Sequence, residues 1–183
     1  QVKFVKYNGI VADPEVTGVA GWLQTKEHNG YMGGYGNGLF GPNDNMTRAQ
    51  AARMFYNLLL EKDVPVTVSF TDVPADAWYA EAVNTLASLG IIKGSSDDSG
   101  KLYFNPAANV SRQEAVTMLG RLTEKGYAQP ALKFTDKASI QPWAAEYVST
   151  LSEMGIITGF SDGSFRPNGA MTRAQVATVL YKF

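Results

Sequence analysis

The residues in this chain best suited to chemistry are three arginines set in one recurring phrase. Met46 to Gln50 reads MTRAQ, Val110 to Glu114 reads VSRQE, and Met171 to Gln175 reads MTRAQ again. Most of the phrase is local helix chemistry. Thr47, Ser111 and Thr172 are N-cap residues, Gln50, Glu114 and Gln175 complete capping boxes, and Met46, Val110 and Met171 supply the preceding hydrophobic staple. Each cap contributes about 1 kcal/mol. The arginine is left over, because a cation at the first helical position opposes the macrodipole by roughly 0.3 to 1 kcal/mol. Two explanations remain for Arg48, Arg112 and Arg173. Each pairs with a structural carboxylate such as Asp72 or Asp136 and staples one lobe to the next, or each joins the free amides of its helix N-terminus in a site for an anionic ligand. One groove can hold both arrangements.

Other side chains fit the same two readings. Trp78 and Trp143 open apolar stripes, so core packing is their default role. An indole beside arginine and aspartate is also how a protein presents a flat apolar face to a sugar ring while polar groups take its hydroxyls. The stretches SSDDSG and FSDGSF lack the ligand spacing and closing glutamate of a calcium loop, which leaves turn chemistry. His28 is the one histidine and there is no cysteine, so neither a triad nor a histidine or thiolate metal site is expected. No pair of carboxylates recurs in a setting that suggests one raised pKa. Catalysis therefore has little support in the sequence, and no metal or cofactor is expected.

The elements that must position these residues recur with them. Phe40, Phe104 and Phe165 lie seven residues before Thr47, Ser111 and Thr172, and each is followed at the second position by Pro42, Pro106 or Pro167. Before each phenylalanine comes a glycine-rich stretch containing Asn37-Gly38, Ser99-Gly100 or Asp162-Gly163. The middle stretch is four residues longer than the others, which marks it as a loop. Upstream, WYAEAVNTLASLG from Trp78 and WAAEYVSTLSEMG from Trp143 align position for position, with Val83, Leu86 and Leu89 answering Val148, Leu151 and Met154 at helical spacing. FTD precedes both, at Phe70 to Asp72 and Phe134 to Asp136. The first unit is degenerate here: Gly18 falls in the tryptophan slot, Trp22 lies one turn on, and only Asp13 offers itself as the acidic partner.

Each unit thus reads helix, glycine-rich loop, helix. The second helices carry wide stripes: Ala51, Ala52, Met54, Phe55, Leu58; Ala115, Val116, Met118, Leu119, Leu122; and Val176, Ala177, Val179, Leu180, Phe183. Such stripes require burial, and three like helices satisfy one another around a pseudo-threefold axis. The expectation is an all-α chain of three repeats, 1–62, 63–126 and 127–183, forming one compact domain around a central three-helix bundle.

Composition agrees with a globular fold. The chain has 183 residues, 45% hydrophobic and 18% charged, with a net charge of -1 and a pI near 5.9. That balance, with no basic run, argues against nucleic-acid binding. No stretch approaches the ~20 apolar residues of a membrane span, so membrane insertion is not expected. A start at Gln1 reads as a processed or excised piece of something longer.

The unit FTDVPADAWYAEAVNTLASLGIIKG…YFNPAANVSRQEAVTML, followed by FTDKASIQPWAAEYVSTLSEMGIITGFSDGSFRPNGAMTRAQVATVL, resembles the S-layer homology (SLH) module, whose tandem triplets carry a threonine-arginine-alanine-glutamate signature. The likeness is strong from Val68 to Phe183 and weak before Gly30. It implies a pseudo-trimeric helical prism outside the cell. Such a prism holds bacterial surface proteins to the wall by binding secondary cell-wall polysaccharide, often through a pyruvylated amino sugar, in grooves between lobes. A pyruvyl ketal is a carboxylate on a sugar, so the resemblance implies a site of Arg48, Arg112 and Arg173, Asp72 and Asp136, Trp78 and Trp143, with backbone at Gly34, Gly94 and Gly159. Gln50 and Gln175 depart from the signature glutamate, and Gln113 from its alanine. The groove walled by the first half of repeat one is expected to be altered. The alternative is an assembly domain that uses the same prism to bind another surface protein.

Overall fold

The computed structural model describes residues 15, 18–26, 30–123 and 131–183; Asp13 and His28 lie outside them. Among the described residues the main elements are five α-helices: α1 Arg48–Leu58, α2 Ala80–Ser88, α3 Arg112–Gly120, α4 Pro142–Glu153 and α5 Arg173–Lys182. Short 3-10 turns cover Val19–Gly21 and Lys137–Ser139. Beside the helices stands one antiparallel ribbon, β1 Ser95–Ser96 with β2 Leu102–Tyr103, an element that the all-α expectation lacked.

Helices α1, α3 and α5 start as their sequences require. Thr47, Ser111 and Thr172 each accept from the third helical amide, and Gln50, Glu114 and Gln175 reach back to the N-cap amide. Helices α2 and α4 end alike. Gly90 and Gly155 take positive φ of 75° and 73°. The next amides, of Ile91 and Ile156, then donate back to the Leu86 and Leu151 carbonyls at 2.9 and 3.0 Å, tying an apolar side chain over the last turn.

The glycine-rich loops are hairpins of one design. Tyr35, Asp97 and Phe160 donate to the carbonyls of Leu39, Lys101 and Ser164 at 2.9, 3.0 and 2.8 Å, around Gly38, Gly100 and Gly163, whose φ values are 80°, 80° and 78°. The four extra residues of the middle loop are the ribbon itself, two added to each strand. FTD straps the hairpin of its own repeat: Phe70 packs on Phe104 at 5.5 Å and Phe134 on Phe165 at 5.3 Å between ring centres. Among the described residues repeat one shows no such strap, and Phe40 is 39% exposed against 2% for Phe104 and 0% for Phe165.

The repeats join at the N-terminal ends of α1, α3 and α5. The Met46 amide donates to the Met171 carbonyl at 2.9 Å, Met171 to Val110 at 3.0 Å, and Val110 to Met46 at 2.9 Å, closing a ring of three main-chain hydrogen bonds. The three residues are fully buried. Among the described residues, side-by-side helix packing is between α1 and α2 and between α3 and α4, so the second helices of repeats one and two each lie on the first helix of the repeat that follows. The stripes of α1 and α3 are buried; in α5, Val176 and Phe183 are buried while Ala177, Val179 and Leu180 are only partly so.

Candidate functional site

The helix N-termini that carry the arginines have no amide left for a ligand. The first-turn amides of Arg48, Arg112 and Arg173 donate to the carbonyls of Ala108, Gly169 and Asp44 at 2.8, 2.9 and 2.9 Å. The next amides, of Ala49, Gln113 and Ala174, donate to Pro106, Pro167 and Pro42 at 3.0, 3.0 and 3.1 Å. The capping boxes take the third. The expectation of an anion site built on free helix amides is corrected: each helix start is capped by the loop of the next repeat, cyclically, because a buried N–H must find an acceptor.

The arginine side chains follow the same loops. Nε of Arg48, Arg112 and Arg173 donates to the carbonyl of Phe104, Phe165 and Phe40 at 2.7, 2.8 and 2.8 Å. Their Nη2 atoms turn to Lys93, Thr158 and Gly33 carbonyls. Asp72 and Asp136 do not pair with them directly, as the structural reading expected. Asp72 accepts from the amides of Phe104 and Asn105 at 2.8 and 2.7 Å, and Asp136 from Phe165 and Arg166 at 2.8 Å each. One peptide group, from Phe104 to Asn105 or from Phe165 to Arg166, therefore sits between a guanidinium on its oxygen and a carboxylate on its nitrogen. The residue after it is left-handed: φ is 57° at Asn105 and 58° at Arg166, and 62° at Gly41 in repeat one, where glycine takes the conformation at no steric cost.

Aromatic rings cover the guanidinium faces unequally. Arg112 lies 5.0 and 4.9 Å from the Phe160 and Phe165 ring centres, and Arg173 lies 4.9 Å from both Tyr35 and Phe40. Among the described residues, Arg48 lies on Phe104 alone, at 4.7 Å; serine stands at position 95, after the loop glycine, where the other loops carry an aromatic residue. Arg48 also forms an ion pair with Glu114 of the neighbouring repeat. Burial and the nearby Arg166 lower the pKa of Arg112, with Asp136 opposing them.

These differences shape two grooves. The larger, of about 580 Å³, runs between Arg48, the second hairpin from Ile92 to Ser95, the face of α3 at Glu114, Thr117, Met118 and Arg121, and Trp143 of the third repeat. The smaller, of about 290 Å³, lies between Arg112, Thr158 to Phe160, and Gln175, Thr178, Val179 and Lys182 of α5. Of the sequence-predicted residues, Arg48, Gly94 and Trp143 meet in the first and Arg112 and Gly159 in the second. Arg173 is held at the first hairpin, close to Gly34. Asp72 and Asp136 support the hairpins behind the grooves.

Core packing for the tryptophans is corrected: Trp78 is 55% and Trp143 47% exposed, because each stands at the solvent edge of its helix start. Trp78 touches Tyr79 edge-on and lines neither groove. The glycines pack closely. A Cβ on Gly94 would collide with the Tyr103 carbonyl and the Phe70 ring, and one on Gly159 would lie 2.9 Å from both Phe134 and the Ser164 carbonyl. Asp97 and Asp162 accept from the hydroxyls of Ser99 and Ser164 at 2.7 and 2.6 Å, which is the turn chemistry expected of their loops. Sequence reasoning missed Lys93, Arg121 and Lys182. Glu114, Thr117, Met118 and Arg121 fall on one helical face, so the period of α3 carried that signal.

Three tandem units that cap one another's helices, with arginine-lined grooves where they meet, define a repeat-built module whose sites belong to pairs of repeats. The S-layer homology domain model matches residues 27–52, 69–116 and 133–177, and the chain belongs to that family. It is 33% identical over 160 residues to the surface-layer 125 kDa protein of Lysinibacillus sphaericus, covering 86% of this chain and 13% of that protein. It is 30% identical over 163 residues to the cellulosome-anchoring protein of Acetivibrio thermocellus, covering 85% of this chain and 36% of that one. The amylopullulanase of Thermoanaerobacterium thermosulfurigenes is 32% identical over 147 residues, 76% of this chain and 8% of the enzyme. The chain therefore spans a minor part of each relative's length.

Proposed function

We propose that this chain is a noncatalytic carbohydrate-binding module that anchors a larger surface protein to the bacterial cell wall. Its three repeats, 1–62, 63–126 and 127–183, act as one pseudo-threefold prism, a reading supported by the ring of bonds at Met46, Val110 and Met171. The bound partner is secondary cell-wall polysaccharide with an acidic, pyruvylated amino sugar. The observation that carries the reading is the groove between Arg48 and Trp143. An exposed indole, Gly94 and main-chain polar groups line a space of about 580 Å³, within the size range of small-ligand sites. Trp143 offers a sugar its flat face, and the arginines hold the hairpins that form the groove walls. Arg48, Arg112 and Arg173 supply the positive charge, Trp78 extends the aromatic surface near repeat one, and Asp72, Asp136, Gly34, Gly94 and Gly159 fix hairpin shape. The kinship with a surface-layer protein and a cellulosome-anchoring protein favours work at the cell surface. The test is cosedimentation with purified sacculi before and after chemical removal of the attached polysaccharide. Binding should disappear with the polysaccharide; undiminished binding would point to another wall or protein partner.

A further inference from the structure

We propose that Asn37 is a site of spontaneous covalent modification: it deamidates through a cyclic imide formed with the Gly38 amide, and its isoaspartyl product loosens the hairpin that holds Arg173. The inference stands apart from what the grooves bind.

An asparagine precedes a glycine at Asn8, Asn29, Asn37 and Asn168; Asn8 and Asn29 lie outside the described residues. Glycine suits the reaction because it puts no side chain beside the attacking nitrogen. The fold treats the two described pairs oppositely. At the tip of the first hairpin Asn37, Gly38 and Leu39 are all exposed, and a Cβ on Gly38 would meet nothing within 4 Å, so a ring has room to close. The amides of Gly100 and Gly163, at the same place in the other hairpins, donate to the Asp97 and Phe160 carbonyls at 3.0 and 2.9 Å. Among the described residues the Gly38 amide makes no hydrogen bond, which leaves the nucleophile free. The electrophile is prepared. The Leu39 amide donates to Asn37 Oδ1 at 3.1 Å, which folds the side chain back along the main chain and stabilises the negative charge that develops on that oxygen during attack. In the other pair both partners are engaged: the Gly169 amide donates to the Arg166 carbonyl at 3.1 Å, and Asn168 Oδ1 accepts from Nε2 of the buried Gln113 at 2.7 Å.

The reaction needs only water. The Gly38 nitrogen gives up its proton to base and bonds to Cγ of Asn37; the Cγ–Nδ2 bond breaks, and Nδ2 takes a proton and leaves as ammonia. Water then adds to one of the two ring carbonyls, and the bond from that carbon to the Gly38 nitrogen breaks. Addition at Cγ gives aspartate, a carboxylate where Asp162 stands in the third hairpin and accepts from the Ser164 amide at 2.9 Å. Addition at the main-chain carbonyl carbon of residue 37 gives isoaspartate, and the chain then runs through Cβ and Cγ, lengthened by a methylene. That lengthening falls between the Tyr35 amide and the Leu39 carbonyl, whose 2.9 Å bond closes the hairpin. It also falls between the Gly33 and Phe40 carbonyls that hold Arg173 at 2.5 and 2.8 Å.

The test ages the whole chain in mildly alkaline buffer at physiological temperature, folded and in urea. Peptide mass mapping with electron-transfer fragmentation then reads each asparagine separately and distinguishes aspartate from isoaspartate. In the folded chain Asn37 should convert at least about tenfold faster than Asn168, as the hydrogen bonds that must first break at Asn168 and Gly169 imply, and in urea the two should agree within about threefold. The second readout is solvent exchange of the Arg173 Nε–H by nitrogen NMR. It should be about tenfold faster in the isoaspartyl fraction of the aged chain than in fresh protein, as the loss of one hydrogen bond implies. Fresh Asn37→Asp, and Asn37→Ser aged alongside, which cannot form the imide, should both keep the slow exchange. Equal rates at Asn37 and Asn168 in the folded chain, or a faster Asn168, overturn the modification site. An aged chain that carries isoaspartate at position 37 yet holds Arg173 as fresh protein does overturns the loosening.

Discussion

Arg112 is a buried cation whose described partners are two carbonyl oxygens and two aromatic faces. Removing it leaves the Phe165 and Thr158 carbonyls without that donor, at about 1 to 3 kcal/mol for a buried unsatisfied group, and removes stacking worth roughly 0.5 to 2 kcal/mol. Arg112→Ala should therefore lose about 3 kcal/mol of stability in urea unfolding. Arg112→Lys should recover less than half, since an ammonium cannot bridge two carbonyls and stack at once. A change below 0.5 kcal/mol would show the side chain to be held for ligand alone. The peptide held between Arg48 and Asp72 gives a second residue-scale expectation. Asp72 holds Asn105 in the left-handed region through its amide, as Asp136 holds Arg166, while glycine at position 41 takes that conformation at no steric cost. Asp72→Ala should cost about 2 kcal/mol, and Asn105→Gly should return roughly 1 kcal/mol of it. A double-mutant cycle with no coupling would separate the carboxylate from the backbone conformation.

At the scale of elements, each hairpin is a small closed unit of glycine, turn carboxylate and strap. Gly159→Ala would push a methyl group into the Phe134 ring and the Ser164 carbonyl, and should destabilise by about 1 to 3 kcal/mol, with Gly94→Ala at least as severe. The turn carboxylates add a pH dependence. Bonds from the Ser164 side chain, then its amide and Arg166, lower the pKa of Asp162 well below its ordinary 3.8; Asp97 is lowered likewise, chiefly by Ser99. A depressed carboxyl contributes stability above the ordinary value and loses it as pH falls through the folded value, so the hairpins should hold through pH 4 and loosen only in stronger acid. Carboxyl-carbon NMR titration should give both groups midpoints below 3.8; a midpoint at or above it would count against the clasp. What the sequence made legible at this scale was local. Thr47 caps through Gln50 three residues on, and Gly90 ends α2 within its own turn, so adjacent letters contained both partners. The four-residue insertion showed a loop, though not that it would divide evenly into a ribbon. The grooves were less legible, because Arg48 finds its partners at Phe104, Lys93 and Glu114, and two of these are main-chain carbonyls that any residue could supply. The exposure of Trp143 was hidden for a related reason: an apolar residue heading a stripe reads as core until the helix it packs on is known.

For the molecule as a whole, the cyclic capping decides how it unfolds. In a linear solenoid, stability is a sum over neighbours and end repeats fray. Here α1 takes its caps from the second repeat, α3 from the third and α5 from the first, through Ala108, Gly169 and Asp44, so the first and last repeats are also neighbours. Opening any one repeat strips buried amides on the other two of their acceptors, and at about 1 to 3 kcal/mol each that cost favours all-or-none unfolding. The ring of Met46, Val110 and Met171 lies at the point where all three repeats meet. Its three amides should therefore exchange with deuterium only through global unfolding, with one common free energy equal to that from urea. Calorimetric and van't Hoff enthalpies should agree, and a chain ending before the third repeat, which removes Gly169, Pro167 and Met171 together, should lose the helices of the repeats that remain. If Met46 and Val110 instead exchanged at distinct and lower free energies, or the shortened chain kept a cooperative transition, the repeats would be independent units in contact and the ring only a seam between them.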